Sequence, residues 1–276
     1  MKSDSLGTFK RKTYRKIKLW MIILTLFAGI LTAAESRYLI FRIYNITIEP
    51  QNILSENVLW GTLKPLEEKI WPLYWIRSKS HEKFISDYYP INLNISLCGW
   101  GKFKAKCVPL EPKFKMFWGG KYWYVTKESR VWLTTLKENK YVSSSNAESI
   151  PVLSWSSDRK LPIDLSNKKG NVMDSNLPIE RIEEWYNNIR TLDWIESIKY
   201  IQAEVRGDAP VVQVFFNEIG TKGVSILFSD NPADWYEPVL AVKKIYPNIS
   251  TLSKDIFIDT TYKDKILVKN KVQLTK

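Results

Sequence analysis

The sequence predicts an α+β protein: a single transmembrane helix, then a small βααββ module, then a larger, mainly antiparallel β domain with helices on one face. Three observations predict it. Leu19 to Ala34, LWMIILTLFAGILTAA, is the only uncharged apolar run that approaches a bilayer crossing. Beyond it, short segments such as INLNISL and FKAKCV alternate apolar and polar residues, the period of half-buried strands. Separate stretches, most clearly Ile179 to Ile189, repeat apolar residues at the spacing of an amphipathic helix. The boundaries implied are a basic cytoplasmic tail over 1–18, the membrane helix over 19–38, the small module over 39–112 and the β domain over 113–276.

Sixteen residues of helix rise roughly 24 Å against a hydrocarbon core of about 30 Å, so Ile17 must join the span while Lys18 snorkels to the headgroups. Trp20 and Tyr38 then fall near the two interfaces. Lys2, Lys10, Arg11, Lys12, Arg15, Lys16 and Lys18 precede the span against one acid, Asp4, which keeps the N-terminus in the cytoplasm and exports everything after about residue 38. Thr32 and Ala34 form a passable cleavage site, so a removed signal peptide is the competing expectation. The apolar core exceeds the usual limit of about 15 residues and the basic leader is long for a signal, which favours a retained single-pass anchor in the inner membrane.

The formal charge of +12 suggests nucleic acid, but the leader alone holds +6 of it and the rest is spread without a basic stripe. Nucleic-acid binding is not expected. Cys98 and Cys107, the two cysteines of the chain, stand nine positions apart around Gly99 and Gly101. A disulfide across a hairpin is compatible with them, and two free thiols are the alternative. The sole histidine, His81, lies in the charged run SKSHEK, which argues against thiol catalysis. Without a phosphate-cradling glycine loop or a metal-spaced cluster, no catalytic residue, cofactor or metal is expected.

In chain order, Ile43 to Ile48 (IYNITI) alternates and stops at Pro50, a first strand. Ser55 offers an N-cap to a helical pattern through Val58, Leu59, Leu63, Leu66 and Ile70, which Pro65 should kink or break. A shorter helix is expected over Ser80 to Tyr88, ending before Pro90. Ile91 to Leu97 and Phe103 to Val108 flank CGWG and form a hairpin. Phe114, Phe117, Trp118, Tyr122, Trp123, Tyr124 and Trp132 gather around Gly119-Gly120, a second hairpin, with the KES after YWYVT as a further turn. A carbohydrate platform is one reading of such a cluster, and cross-strand pairs filling a sheet core are the simpler one.

Tyr141 to Lys169 is polar and turn-rich, a long surface excursion anchored by the apolar segment Ile150 to Trp155. Pro178 opens the amphipathic helix, whose apolar side holds Ile179, Ile182, Trp185, Tyr186 and Ile189. Ile195 to Val205 leads into a strand that turns at Arg206-Gly207-Asp208, a triplet that a β-turn explains without integrin binding. Val211 to Phe216 and Val224 to Phe228 are apolar strands, Trp235 to Ile245 is a helix after Asn231-Pro232, and Asp255 to Val268 is a final alternating strand pair.

In this order the parts resemble the bacterial cell-division proteins FtsQ and DivIB, whose first exported module is a POTRA domain. The matching pieces are IYNITIEP as its first strand, residues 55–88 as its helical region, and INLNISL with FKAKCV as its closing hairpin. KYWYVTKESRVW matches the entry to the family's β domain, IPVLSW its Leu-Pro-hydrophobic segment, and VSILFSD, Trp235 to Ile245 and DIFIDTTYKDKILV its closing strand, helix and strand pair. Glu49-Pro50 replaces the usual Gly after the first strand, PLEPKF only loosely represents the acidic-Arg-Pro pattern, and Thr260 stands where Leu is common.

The resemblance implies a non-enzymatic scaffold of the division machinery at the septum. It also implies partners, division membrane proteins similar to FtsB and FtsL that extend the sheet at the end of the β domain by strand addition. That surface maps onto Ile256, Ile258, Tyr262, Ile266, Leu267 and Val268, where Ile256, Ile258, Ile266 and Val268 should pack inward and a proline at Leu267 should disturb the edge. Two other functions stay open: an envelope or secretion-system adaptor with the same module, and an anchored cell-wall hydrolase using Glu183, Glu184 or Glu204 as general acid. Glu183 and Glu184 fall on the polar side of the expected helix, where a carboxylate is ordinarily solvated.

Overall fold

The computed structural model describes residues 5–38, 40–137, 150–165, 170–190, 198–216, 223–249 and 255–270. The chain divides into two compact units, Met1–Ile85 with Leu93–Cys107, and Ser86–Asn92 with Val108–Lys276.

The first unit opens with α1, Ser5–Tyr38, a helix of 34 residues. Its Lys16–Ala34 portion is 19 residues long, apolar enough to cross a membrane, and not buried against the protein. The hydroxyls of two threonines in this stretch are satisfied within the helix. The Thr25 hydroxyl donates back to the Met21 carbonyl and that of Thr32 to the Ala28 carbonyl at 3.0 Å, so neither side chain is left with an unmet donor.

After α1 come β1 (Asn45–Glu49), three helices, α2 (Glu56–Gly61), α3 (Pro65–Lys69) and α4 (Trp71–Tyr88), and the hairpin of β2 (Ile91–Gly99) and β3 (Lys102–Pro109). The module therefore has three helical segments where two are expected. Pro65 breaks the helical pattern and does not kink it: α2 ends at Gly61 and a new helix begins at Pro65, whose fixed φ and missing N–H suit a first helical position. The last helix begins at Trp71, nine residues before the expected Ser80. Pro72 sits in its first turn, where a missing donor removes no helical bond. The sheet order is β1-β3-β2, with β1 parallel to β3.

Sheet periodicity settles the cysteine pair. On β2 the odd positions Ile91, Leu93 and Ile95 are buried, and on β3 so are Phe103, Ala105 and Cys107, whereas Cys98 is exposed. The two sulfurs lie on opposite faces, and both thiols are free. The hairpin disulfide of the first expectation is thus replaced by its alternative.

His81 is not in a solvated charged run but buried in α4. The Thr62 hydroxyl donates to the Leu59 carbonyl at 2.9 Å, so at 2.6 Å from it His81 Nε2 must be the donor, and Nδ1 accepts from the Tyr74 hydroxyl at 3.2 Å. Both ring nitrogens are satisfied by a neutral imidazole. Burial accordingly holds its pKa below the ordinary value, against the opposing pull of Glu67 and Glu82. From the same helix Glu82 Oε1 accepts the Ile95 amide at 2.7 Å, which caps the outer edge of β2.

Ten strands form the sheet of the second unit: β4 (Phe114–Trp118), β5 (Lys121–Val125), β6 (Arg130–Leu133), β7 (Val152–Trp155), β8 (Val172–Asp174), β9 (Ile198–Arg206), β10 (Ala209–Phe216), β11 (Val224–Ser229), β12 (Ile256–Asp259) and β13 (Leu267–Asn270). Their order is β13-β12-β11-β10-β9-β7-β4-β5-β6-β8. Most neighbours are antiparallel, but β4 with β7, β7 with β9, and β11 with β12 are parallel. The segment Ile150 to Trp155 does more than anchor an excursion: as β7 it is a central strand, with Leu153 fully buried. Residues 141–149 and 166–169 of the expected excursion lie outside the described residues, as do 195–197 of the expected approach to β9 and the charged tail 271–276.

Part of the aromatic run fills the sheet, while Phe117 and Tyr122 stay exposed, their rings 5.0 Å apart. Gly119 and Gly120 take φ of 58° and 72°, the left-handed turn conformation a two-residue hairpin demands, and β4 pairs with β5 across it. Phe114, Trp123 and Trp132 are buried, and Tyr124 packs on Trp132 with centroids 5.7 Å apart.

Helix α5 (Ile179–Arg190), a 3₁₀ turn (Pro232–Trp235) and α6 (Tyr236–Ile249) share one core with the strands. The buried residues of α5 are the five its periodicity marks: Ile179, Ile182, Trp185, Tyr186 and Ile189. Each buried indole has a partner, Trp185 donating to the Asp230 carbonyl at 3.0 Å and Trp235 to the Ser229 carbonyl at 2.9 Å. Beside them runs a polar clamp. The Arg159 guanidinium, 5.2 Å from the Trp155 ring and 5.8 Å from that of Trp185, donates to the Glu204 and Val211 carbonyls and to Asp230 Oδ1 at 2.5 Å. Arg181 takes the other Asp230 oxygen at 2.8 Å.

Candidate functional site

The last strand pair is built outward from β11. Val224, Ile226 and Phe228 turn one face of that strand into the core, and Ile256 and Ile258 continue the same face onto β12. Their relative exposures are 1% and 0%, so these two of the six marked residues pack inward. Asp255 Oδ1 accepts the Gly223 amide at 2.9 Å and starts β12 in register with β11. At its other end the Thr260 hydroxyl donates to the Leu227 carbonyl at 2.7 Å, a bond that leucine could not make. Asp259 then accepts from the amide and hydroxyl of Thr261, which bends the chain away from the strand.

Which backbone groups stay open follows from alternation. The amides of Ile256 and Thr260 donate to the Gly223 and Leu227 carbonyls, so even-numbered residues of β12 face β11 and odd-numbered ones face β13. In the antiparallel register Phe257 stands opposite Lys269, Ile258 opposite Val268 and Asp259 opposite Leu267. Leu267 and Lys269 therefore bond inward to β12, and the N–H and C=O of Val268 point away from the sheet. Among the described residues no strand pairs with that side, since β13 ends the sheet.

Beside this edge lies a groove of ≈ 830 Å³. One wall is α6, through Pro238, Ala241 and Ile245, and the other is the loop and strand after β12, through Tyr262, Ile266 and Val268. Tyr262 is 47% exposed and its ring lies 5.1 Å from the Lys265 ammonium. Ile266 packs on the core from the groove side. Val268, expected to pack inward, is on the inward-facing side of β13 but remains 37% exposed, because among the described residues the strand has one neighbour to cover it. Leu267 is half-buried on the opposite face. The structure thus brings Tyr262, Ile266 and Val268 together. The residues of α6 were missed in the sequence: their signal is apolar side chains outside the main stripe of an amphipathic helix, which has no meaning until the neighbouring loop is placed.

The three candidate acids are not gathered. Glu183 and Glu184 sit on α5, and Glu183 faces Lys113 at 3.6 Å. Glu204 belongs to β9 on the face opposite Ile201 and Ala203, where Gln202 and Arg206 donate to it at 2.8 and 2.6 Å. The sheet separates it from α5, so the geometry pairs neither helix carboxylate with it for acid–base work. Among the described residues no cluster of three or more His, Cys, Asp or Glu side chains could hold a metal.

A scan against protein-family models finds no match, and a search of curated proteins finds none either.

Proposed function

We propose that this chain is a non-enzymatic, membrane-anchored scaffold of the bacterial cell-division machinery, of the FtsQ and DivIB kind, with its first module acting as a POTRA domain. It holds division membrane proteins similar to FtsB and FtsL by adding a strand of the partner to β13. The observation that carries this reading is the unpaired outer side of Val268 beside a groove lined by Tyr262, Ile266 and α6. Main-chain bonds along the edge supply affinity, and the groove reads the side chains of the added strand. An N-terminal helix of membrane-crossing length supports the anchoring. The basic residues before it support a cytoplasmic N-terminus with both domains exported, and the division reading locates them at the septum.

A photoreactive amino acid at Tyr262 in living cells tests the site. It should crosslink to small division proteins, while the same group at Asp208, in the turn between β9 and β10, should not. A fluorescent fusion should form midcell rings, and reporters fused after Lys12 and after Glu49 should report cytoplasm and export respectively. Equal crosslinking from both positions would remove the edge from the reading, and a uniform envelope signal would remove division.

A further inference from the structure

We infer that Trp71, Trp75, Ile76 and Trp100 of the first unit form a membrane-contact surface, lying in the headgroup layer of the bilayer on the side where α1 emerges. This rests on α1 being a membrane span. The surface is assembled on the chain as it leaves that helix. α1 ends at Tyr38, and two residues later the Ile40 carbonyl accepts the Trp71 indole N–H at 3.3 Å, while the Phe41 carbonyl accepts the Trp71 amide at 2.7 Å. From the other side the hairpin tip joins in, the Tyr44 amide donating to the Gly101 carbonyl at 2.8 Å. Gly101 allows this approach. A Cβ there would meet the Arg42 carbonyl at 2.2 Å, and its φ of +63° is one that side-chain-bearing residues rarely adopt. The rings of Trp71 and Trp100 then meet edge to face at 5.6 Å.

Depth follows from chain length. Four residues of helix beyond Ala34 rise about 6 Å, and the headgroup layer is roughly 5 to 8 Å thick on each side. A residue adds at most about 3.6 Å, so an indole bonded to Ile40 stays within roughly 10 Å of the helix end and within reach of the headgroup layer.

The side chains suit that place. Trp75 is 55% exposed, Ile76 73% and Trp100 68%, and Trp75 follows Trp71 by one helical turn on the same face of α4. Exposed indoles with an apolar body and a polar N–H are the side chains that settle in the headgroup layer. Arg42, Lys69 and Lys102, all exposed, flank the three segments and attract anionic lipid. The occupant is the bilayer surface itself, with phospholipid headgroups around the rings.

The test uses the full chain in nanodiscs of phosphatidylethanolamine and phosphatidylglycerol, with Cys98→Ser and Cys107→Ala as background. Spin labels are placed singly by Leu24→Cys, Asn94→Cys, Trp75→Cys and Trp100→Cys, and relaxation by oxygen is compared with relaxation by a water-soluble nickel chelate. The label at 24 should be deep. Those at 75 and 100 should show an oxygen-to-nickel ratio at least about threefold above that at exposed Asn94, the signature of interfacial residence. Equal ratios at 75, 94 and 100 with 24 deep would overturn the contact surface and leave the anchor intact. Protection of 75 and 100 from both reagents would mean protein contact and also overturn it. An aqueous label at 24 would overturn the anchor reading.

Discussion

Proline at Val268 separates strand addition from any other use of the last hairpin. Because the Val268 N–H points away from β12, Val268→Pro removes a donor offered to a partner without breaking a bond of the ladder. One main-chain bond has a net worth of about 0.5 to 1.5 kcal/mol, and the ring adds a clash with an incoming strand. A loss of about 1 to 2 kcal/mol lowers partner capture roughly 5- to 30-fold. Val268→Ala keeps the donor and trims a side chain that is already 37% exposed, so it is the reference for side-chain loss. Leu267→Pro acts differently: it breaks an inward bond to Asp259 and should destabilise the hairpin by about 1 to 3 kcal/mol, lowering the melting temperature by several degrees. The assay is recovery of division proteins from solubilised membranes by the full chain, quantified by mass spectrometry beside melting curves. Equal recovery by Val268→Pro and Val268→Ala, with melting unchanged in both, would refute strand addition at β13.

Three further outcomes are expected. Alkylation of the native protein without reductant should label Cys98 at once and leave Cys107 until unfolding, since burial closes it off and pushes its thiol pKa up to about 11, near a hundredfold less thiolate than usual at neutral pH. Arg159→Met should cost about 3 kcal/mol by leaving Asp230 short of its buried partner, which is roughly 6 to 12 °C of melting for a unit of this size, whereas Arg181→Ala, on the exposed side, should cost at most about 1 kcal/mol. Equal shifts, followed through the fluorescence of Trp155 and Trp185, would count against the clamp. For His81 the folded pKa lies below the unfolded value, so the unfolded chain binds the extra proton first and stability is lost as pH falls through about 6.5. His81→Gln should flatten that acid limb in a denaturation series of the first unit.

The membrane-length helix, the β2–β3 and β4–β5 hairpins and α5 were legible in the chain because each rests on contacts between residues near in sequence. An apolar run, a Gly-Gly turn and a 3.6-residue stripe carry their meaning wherever the fold places them. Helix α4 was underread. Its first two turns hold Trp71 half-buried and Trp75 and Ile76 exposed, so no continuous buried stripe marks where the helix begins.

The candidate site was legible in position and not in detail. Alternation in DIFIDTTYKDKILV announces two strands near the end of the chain, yet the same pattern fits an interior pair or an edge pair. That β13 is the edge depends on β12 lying parallel to β11, a pairing between segments joined through α6. The same holds for β7, a four-residue strand whose place between β4 and β9 comes from parallel partners far along the chain. The cysteines show the limit from the other side: spacing allowed a bond, and parity of the strands put the sulfurs on opposite faces. The sequence by itself determined the local elements, the membrane-length helix and the inward face of each strand, because local sterics and hydrophobic period act over a few residues. Only the tertiary structure decided which strand ends the sheet and which amide is left facing out, because parallel pairing and register are settled by packing between distant segments.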